Sequence, residues 1–241
     1  MSIFLVRHSL ISGPIFGGQF GKTWKNVEIC QNLSYNVQVR FLPSTSETGE
    51  SMQRQYLNQN VYEALQSRLH FIFQEFQNIF VSFSGGKDSG LLLNLVLDFR
   101  KKYYPNRRIG VFHQDFEAQY SVTTEYIERT FARIEKEVEP YWVCLPMATR
   151  TALSNYEMYW YPWDDEKEEA WVRPMPKHPY VINLRNNPIT TYRYKMHQED
   201  LARQFCRWYR MRHGNKKTVC LLGIRADESL QRYRGFLNRT C

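Results

Sequence analysis

Apolar positions change their period several times along the chain, and each change marks an element. Val61, Leu65, Leu69, Ile72 and Phe76 recur every three or four residues, which predicts a helix with one buried face, and Asn60 stands ahead of it as a capping residue. "NIFVSF", ending at Phe83, is a continuous apolar run of strand length. From Asp88 to about Tyr103 the helical period returns with Leu91, Leu92, Leu95 and Val96, until Tyr104, Pro105 and Asn106 break it. "IGVFH" is the next strand, and Thr123 to Val138 the next helix, with Ile127, Phe131, Ile134 and Val138 inward. "YWVCLP" is a third strand, ended by Pro146. Gln198 to His213 carries a stripe of Leu201, Phe205, Trp208 and Met211, with Gly214 placed to stop it, and "TVCLLGI" follows as a buried strand.

Strands alternating with helices predict an α/β fold: a parallel, twisted, Rossmann-like sheet with helices on both faces and ligands at the carboxyl ends of the strands. Two segments depart from that rhythm. Residues 1–53, closing in the linker-like "STSETGES", form an N-terminal extension with a short hairpin and no legible role, so that the principal domain runs over 54–241. Between Met147 and Met196 the run "YWYPWDDEKEEAWVRPMPKHPYVINLRNNP" is too aromatic to be disordered. It is an ordered insertion that packs over something, either as a lid or subunit surface or as part of substrate recognition.

The net charge of +8 is unevenly spread: an acidic run spans Asp164 to Glu169, whereas the stretch from Arg193 to Arg239 is rich in arginine and lysine. That stretch is either a solvated basic face or an attraction for polyanions, nucleotides and nucleic acid included. No apolar run has the length of a membrane span, and Arg7, His8 and Ser9 interrupt the opening residues where a secretory signal would be continuous. Cys30, Cys144, Cys206, Cys220 and Cys241 include no CxxC pair, which fits a reduced, cytoplasmic setting. His197, Cys206 and His213 lack any recognised zinc spacing.

The chemistry concentrates in "VSFSGGKDSG", between the first core strand and the helix after it. A GxxxxGK[ST] loop with Gly86 and Lys87 in its GK slots would need glycine at Val81 and a hydroxyl at Asp88, so it does not match; GxGxxG fails as well. Gly85 and Gly86 nevertheless let the backbone approach a phosphate with their N–H groups inward. Ser84 and Ser89 add hydroxyls, Lys87 a positive charge, and the helix N-terminus further donors and its dipole. Asp88 either holds Mg2+ or caps the helix.

"SGGKDS" resembles the PP-loop of the adenine nucleotide α-hydrolase-like superfamily, which includes ATP pyrophosphatases and phosphoadenosine phosphosulfate (PAPS) reductases. "VFHQDFEAQYSVTTEYIE" and "LLGIRADESLQRYR" are similar to segments of its sulfur-metabolism branch, and with "WVCLPMATRTALSNYEMYWYPWDDE" the chain from about Gln55 to Thr240 most resembles PAPS reductase-like proteins of the DUF3440 (IbrA-like) type. The resemblance implies that Ser84, Gly85, Gly86, Lys87, Asp88 and Ser89 surround the phosphates of ATP or PAPS. It implies that Asp115 lies near the nucleotide or, with Asp88, its Mg2+, and that Arg225, Ser229 and Arg232 close the anionic site, with Lys87, Asp88 and Arg225 catalytic. Read from the residues alone, Asp115 is equally a turn cap, whereas Arg225 is a guanidinium fork at a strand's carboxyl end, suited to phosphate or sulfate oxygens, with a surface pair to Asp227 or Glu228 as the alternative. Such proteins are often carried by prophages beside ParB-like partners, which implies a ParB-like protein as partner. It also implies a C-terminal portion missing after "RGFLNRTC".

Three activities follow as expectations. In the pyrophosphatase type, a substrate oxygen attacks the α-phosphorus of ATP, giving an adenylate and pyrophosphate, and no cysteine is needed. PAPS reduction needs a nucleophilic thiolate. The reductases carry theirs in a C-terminal ECG-like tail, which is absent here; Cys241 lacks the expected neighbours, and Cys144 and Cys220 fall inside strands. The third is a nucleotide-sensing regulator acting with a protein partner or DNA.

Overall fold

The structure, a computed structural model, describes residues 3–8, 60–151 and 153–225. In chain order its elements begin with β1 (Ile3–His8), α1 (Val61–Glu75), β2 (Asn78–Ser82), α2 (Lys87–Tyr103) and β3 (Gly110–Gln114). There follow α3 (Ser121–Ile134), β4 (Glu139–Val143), β5 (Thr149–Arg150), β6 (Tyr159–Trp160) and a 3-10 helix, Asp165–Ala170. The last are β7 (Val181–Ile182), α4 (Gln198–Arg212) and β8 (Thr218–Arg225).

One sheet has the order β1-β8-β2-β3-β4-β7; the five strands from β8 to β7 are all parallel, and β1 is antiparallel to β8. The α/β expectation therefore holds. Successive strand residues serve opposite faces, as the pleat requires. Ile79 and Val81 of β2 join Leu69 of α1, Leu92 and Val96 of α2 and Phe131 of α3 in one core. Phe80 between them joins Phe112, Cys220 and the Phe205–Tyr209 stripe of α4 in the other. Three helices thus cover one face and α4 the opposite one.

Local chemistry explains where the helices start. Asn60 Oδ1 accepts from Glu63 N at 2.9 Å while the Glu63 carboxylate accepts from Asn60 N at 3.2 Å, a reciprocal capping box. Arg107 then reaches back to the carbonyls of Phe73, Phe76 and Gln77 at the far end of α1. The third helix differs from its sequence expectation. It ends at Ile134, whose carbonyl takes bonds from both Glu137 N (2.8 Å) and Val138 N (3.1 Å), so the backbone turns early and enters β4 at Glu139, two residues ahead of the expected strand.

Both irregular segments contribute to the sheet. From the N-terminal extension, β1 pairs with β8, Val6 opposite Leu221; the remainder of that extension, where a hairpin was expected, lies outside the described residues. The aromatic insertion folds β5 against β6 and then returns β7 to the free edge of β4, Val143 opposite Ile182.

Gly223 of β8 touches the start of α2. A Cβ there would lie 2.6 Å from the Asp88 carbonyl oxygen and 2.9 Å from Ser89 Cα, both main-chain atoms that cannot swing away. Gly223→Ala is expected to lose about 1–3 kcal/mol of stability through this overpacking. Urea denaturation followed by tryptophan fluorescence checks it; an unchanged midpoint would refute the contact.

Candidate functional site

The glycine-pair loop leaves the sheet where its winding reverses. From β2 the chain moves through α2 to β3 and onward to β4, and only later returns by α4 to β8 on the other side of β2. Carboxyl ends of β2 and β8 therefore lie side by side at a topological switch point, the location where open α/β sheets take ligands.

Three contacts shape the loop. Phe83 N donates to Phe112 O at 2.8 Å, which extends the ladder one residue beyond Ser82. The Phe83 carbonyl accepts from His113 Nδ1 at 2.8 Å; full burial lowers the pKa of this imidazole, which keeps the ring neutral. Next, Gly85 adopts φ +80°, and a Cβ on it would meet Ile127 Cδ1 at 2.7 Å and Thr123 Cγ2 at 3.0 Å, so α3 presses directly on the turn. Only glycine satisfies both the left-handed backbone and that close approach.

Ser89 is the brace of the turn. Its buried hydroxyl accepts from Ser84 N at 3.2 Å, lies 3.0 Å from Ser84 Oγ and donates to Gly86 O at 3.0 Å. Ser84 Oγ in turn accepts from Gly86 N at 3.4 Å. Ser89 is thus engaged inside the loop, whereas Ser84, Gly86 and Lys87 are exposed and Asp88 is half-buried. Gly90 N bonds Gly86 O at 2.9 Å as α2 begins, and the N–H groups ahead of it are the orphan donors of a helix start. Gly86 caps the helix without a side chain, which leaves that start unobstructed, and Asp88 lies in its first turn.

Asp115 has a different setting from the one expected for a nucleotide or metal ligand. It lies one residue past β3 with no exposed surface. Arg173 Nη2 bridges its two oxygens at 2.6 and 2.7 Å, Trp142 Nε1 donates to Oδ2 at 2.6 Å, and Glu117 N donates to Oδ1 at 2.7 Å. A carboxylate so engaged has no lone pair directed to a metal in this arrangement. Around it, Glu117 accepts from Trp163 N (2.9 Å) and Val172 N (2.8 Å), Arg173 Nε donates to Glu117 O (3.0 Å), and the guanidinium lies 4.9 Å from the Trp163 ring centroid. Two carboxylates just after β3 therefore clamp the aromatic insertion onto the sheet. Sequence reasoning missed Glu117 and Arg173 in this role; the only signal was a second acid in "DFE" and an arginine flanked by apolar residues in "WVRP".

Cys144, just past β4, is buried with Sγ 3.7 Å from Asp115 Oδ2, and burial together with that negative neighbour pushes its thiol pKa well up. It is no nucleophile. Among the described residues no group of three or more His, Cys, Asp and Glu is placed to hold a metal, and no helix is long and apolar enough to cross a membrane. Arg225 closes β8 on the rim beside the loop, but its side chain, like Ser229 and Arg232, lies outside the described residues.

Fold and site together define an α/β protein with an open, glycine-paired strand-to-helix turn at its switch point. No family model matches the chain. It is similar, at 33% identity over 177 residues, to a protein of Escherichia coli (strain K12) that carries the name uncharacterized protein YbdN. That match covers 72% of this chain and 41% of the relative, so the chain spans less than half the length of the protein it resembles.

Removing either member of the buried pair strands the other. Asp115→Ala and Arg173→Ala are each expected to lose about 3–5 kcal/mol, and the double variant distinctly less than their sum. A double-mutant cycle from guanidinium denaturation checks this; simple additivity would show that the two groups do not interact.

Proposed function

We propose that the turn from Ser84 to Ser89 binds the polyphosphate of an adenine nucleotide, ATP foremost, and that the chain cleaves it at the α-phosphorus. One observation carries the reading: an exposed loop, made left-handed at Gly85 and braced from within by Ser89, presents Gly86, Lys87 and a helix N-terminus at the switch point of the sheet. Main-chain N–H groups would hold the β- and γ-phosphates, and the Lys87 ammonium would neutralise charge that grows on the departing pyrophosphate. An acceptor oxygen would attack the α-phosphorus to leave an adenylate, with Arg225 on the β8 rim as the second cation. Mg2+ would arrive on the phosphates, which need only one or two protein carboxylates to complete its shell. Asp88 fits that part, and Asp115 does not, because Arg173 and Trp142 occupy its oxygens.

ATP is favoured over PAPS because sulfur transfer requires an accessible thiolate near the nucleotide; Cys144 and Cys220 are buried, and the half-buried Cys206 lies on α4, on the sheet face opposite α2. Among the described residues Cys144, Cys206 and Cys220 form no disulfide, in keeping with the cytoplasmic setting we propose.

A second reading, a nucleotide-responsive regulator that engages nucleic acid with a ParB-like partner, draws on the exposed Arg203, Arg207, Arg212, Lys216 and Lys217 along and just beyond α4. This basic stretch lies on the sheet face opposite α2, so it would operate independently of Lys87.

With Mg2+ and ATP, calorimetry should register binding that falls about ten- to hundredfold in Lys87→Ala, the value of a hydrogen bond to a charged group. Pyrophosphate release should vanish in parallel. Nucleotide binding without release would favour the regulator, and no association with ATP or PAPS would refute the loop assignment.

If α4 contacts DNA, affinity should fall steeply with salt and survive Lys87→Ala, as gel-shift titration at several salt concentrations would measure. Salt-independent binding would eliminate the basic face.

A further inference from the structure

A cavity lies on the same carboxyl rim, at β4 and β7. Its volume is about 360 Å3, within the range of small-molecule sites. Neighbouring strands are about 4.8 Å apart, so two strand spacings separate it from the glycine-pair loop, roughly 10 Å along the rim. Cys144, Trp163, Trp171 and Met175 supply its apolar wall. That wall is built rather than incidental: Trp163 is fixed through its main-chain N–H to Glu117 and its Nε1 to Asp115 O, Trp171 Nε1 donates to Asp164 O at 3.0 Å, and the two indoles meet edge to face at 5.1 Å.

Charged residues of both signs complete the lining, and they come from separate segments. Asp165 and Glu168 belong to the 3-10 helix, whereas Lys177 and Arg185 lie before and after β7. Among the described residues, neither cation forms an ion pair with either acid or with any other carboxylate, and the contact made by the Asp165 carboxylate is a hydrogen bond from Tyr194 OH at 2.6 Å. Two carboxylates and two cations therefore border one aromatic-walled space without neutralising each other. A molecule that brings an ammonium and a carboxylate a few ångströms apart, with a flat or apolar appendage, matches all three parts of the lining at once.

We propose that this cavity binds a free α-amino acid with an aromatic or thioether side chain. The carboxylate faces Lys177 and Arg185, the ammonium faces Asp165 and Glu168, and the side chain packs on Trp171 and Met175, which Trp163 backs from the buried side. The partly exposed Trp171 indole and a methionine sulfur suit such a side chain, by aromatic and sulfur–aromatic contact. The site does not rest on the nucleotide reading, since no residue of the loop takes part in it.

Calorimetry on the full chain without nucleotide tests this with L-tryptophan, L-phenylalanine and L-methionine beside two single-charge probes, indole-3-propionate and tryptamine. At least one amino acid is expected to bind, and each single-charge probe to bind about tenfold more weakly than L-tryptophan or worse, as the loss of one charge-assisted contact requires. The double variants Lys177→Gln/Arg185→Gln and Asp165→Asn/Glu168→Gln change exposed side chains and should each abolish that preference, while Lys87→Ala should leave it intact. Absence of binding by all three amino acids overturns the proposal. So does indole-3-propionate binding as tightly as L-tryptophan, which would make this a plain anion site, and so does loss of amino-acid binding in Lys87→Ala.

Discussion

A carboxylate with no exposed surface remains charged only if its partners are delivered with the fold, and in this protein they arrive from far along the chain. Asp115 sits at the end of β3; its guanidinium partner, Arg173, lies beyond β4, the β5–β6 pair and the 3-10 helix. Arg173 also lies over Trp163, which in turn bonds Glu117, so the pair recruits aromatic surface along with charge. Buried ion pairs seldom add net stability over apolar packing of equal volume. What this one supplies is position: it holds the aromatic insertion against the rim of the sheet, an arrangement that a chain without regular periodicity could not otherwise specify.

The glycine-pair turn is organised on the opposite principle. Its internal bonds are short-range, from Ser89 to Ser84 and Gly86, and its outer contacts are apolar, from Ile127 and Thr123 of α3. Shape is therefore secured from beneath, with one serine hydroxyl, and the upper side of the turn is left to exposed main chain and Lys87. A preorganised turn of this kind loses little conformational entropy when an anion arrives. The neutral His113 ring beneath Phe83 extends the support without adding a charge that would compete with Lys87.

Much of this was legible in the residues, and the parts that were not share a physical cause. The helices α1, α2 and α4 follow from a 3.6-residue apolar period, and β2, β3 and β8 from short apolar runs, because local pattern and tertiary burial agree there. Strand-to-helix placement of "SGGKDS" was legible for the same reason. Strand β7 was not, since two residues carry no period, and β1 pairs with a strand more than two hundred positions away. Asp115 could be singled out as special but not given its partner, because ion pairing across the insertion leaves no spacing to detect. Ser89 was expected to face phosphate; that its hydroxyl turns inward depends on backbone angles at Gly85 and Gly86, which a string of letters does not display.

The two margins of the sheet are finished in different ways. On one side β7 is only two residues long, too brief to template an added strand. On the other, β8 runs for eight residues and is shielded by β1 lying antiparallel along it. Were that N-terminal ribbon to peel away, a long row of amide and carbonyl groups would be bared on the strand next to β2, from whose end the glycine turn departs. Ile3–His8 thus acts as a selvage, occupying the hydrogen-bonding margin of β8 on the side away from β2.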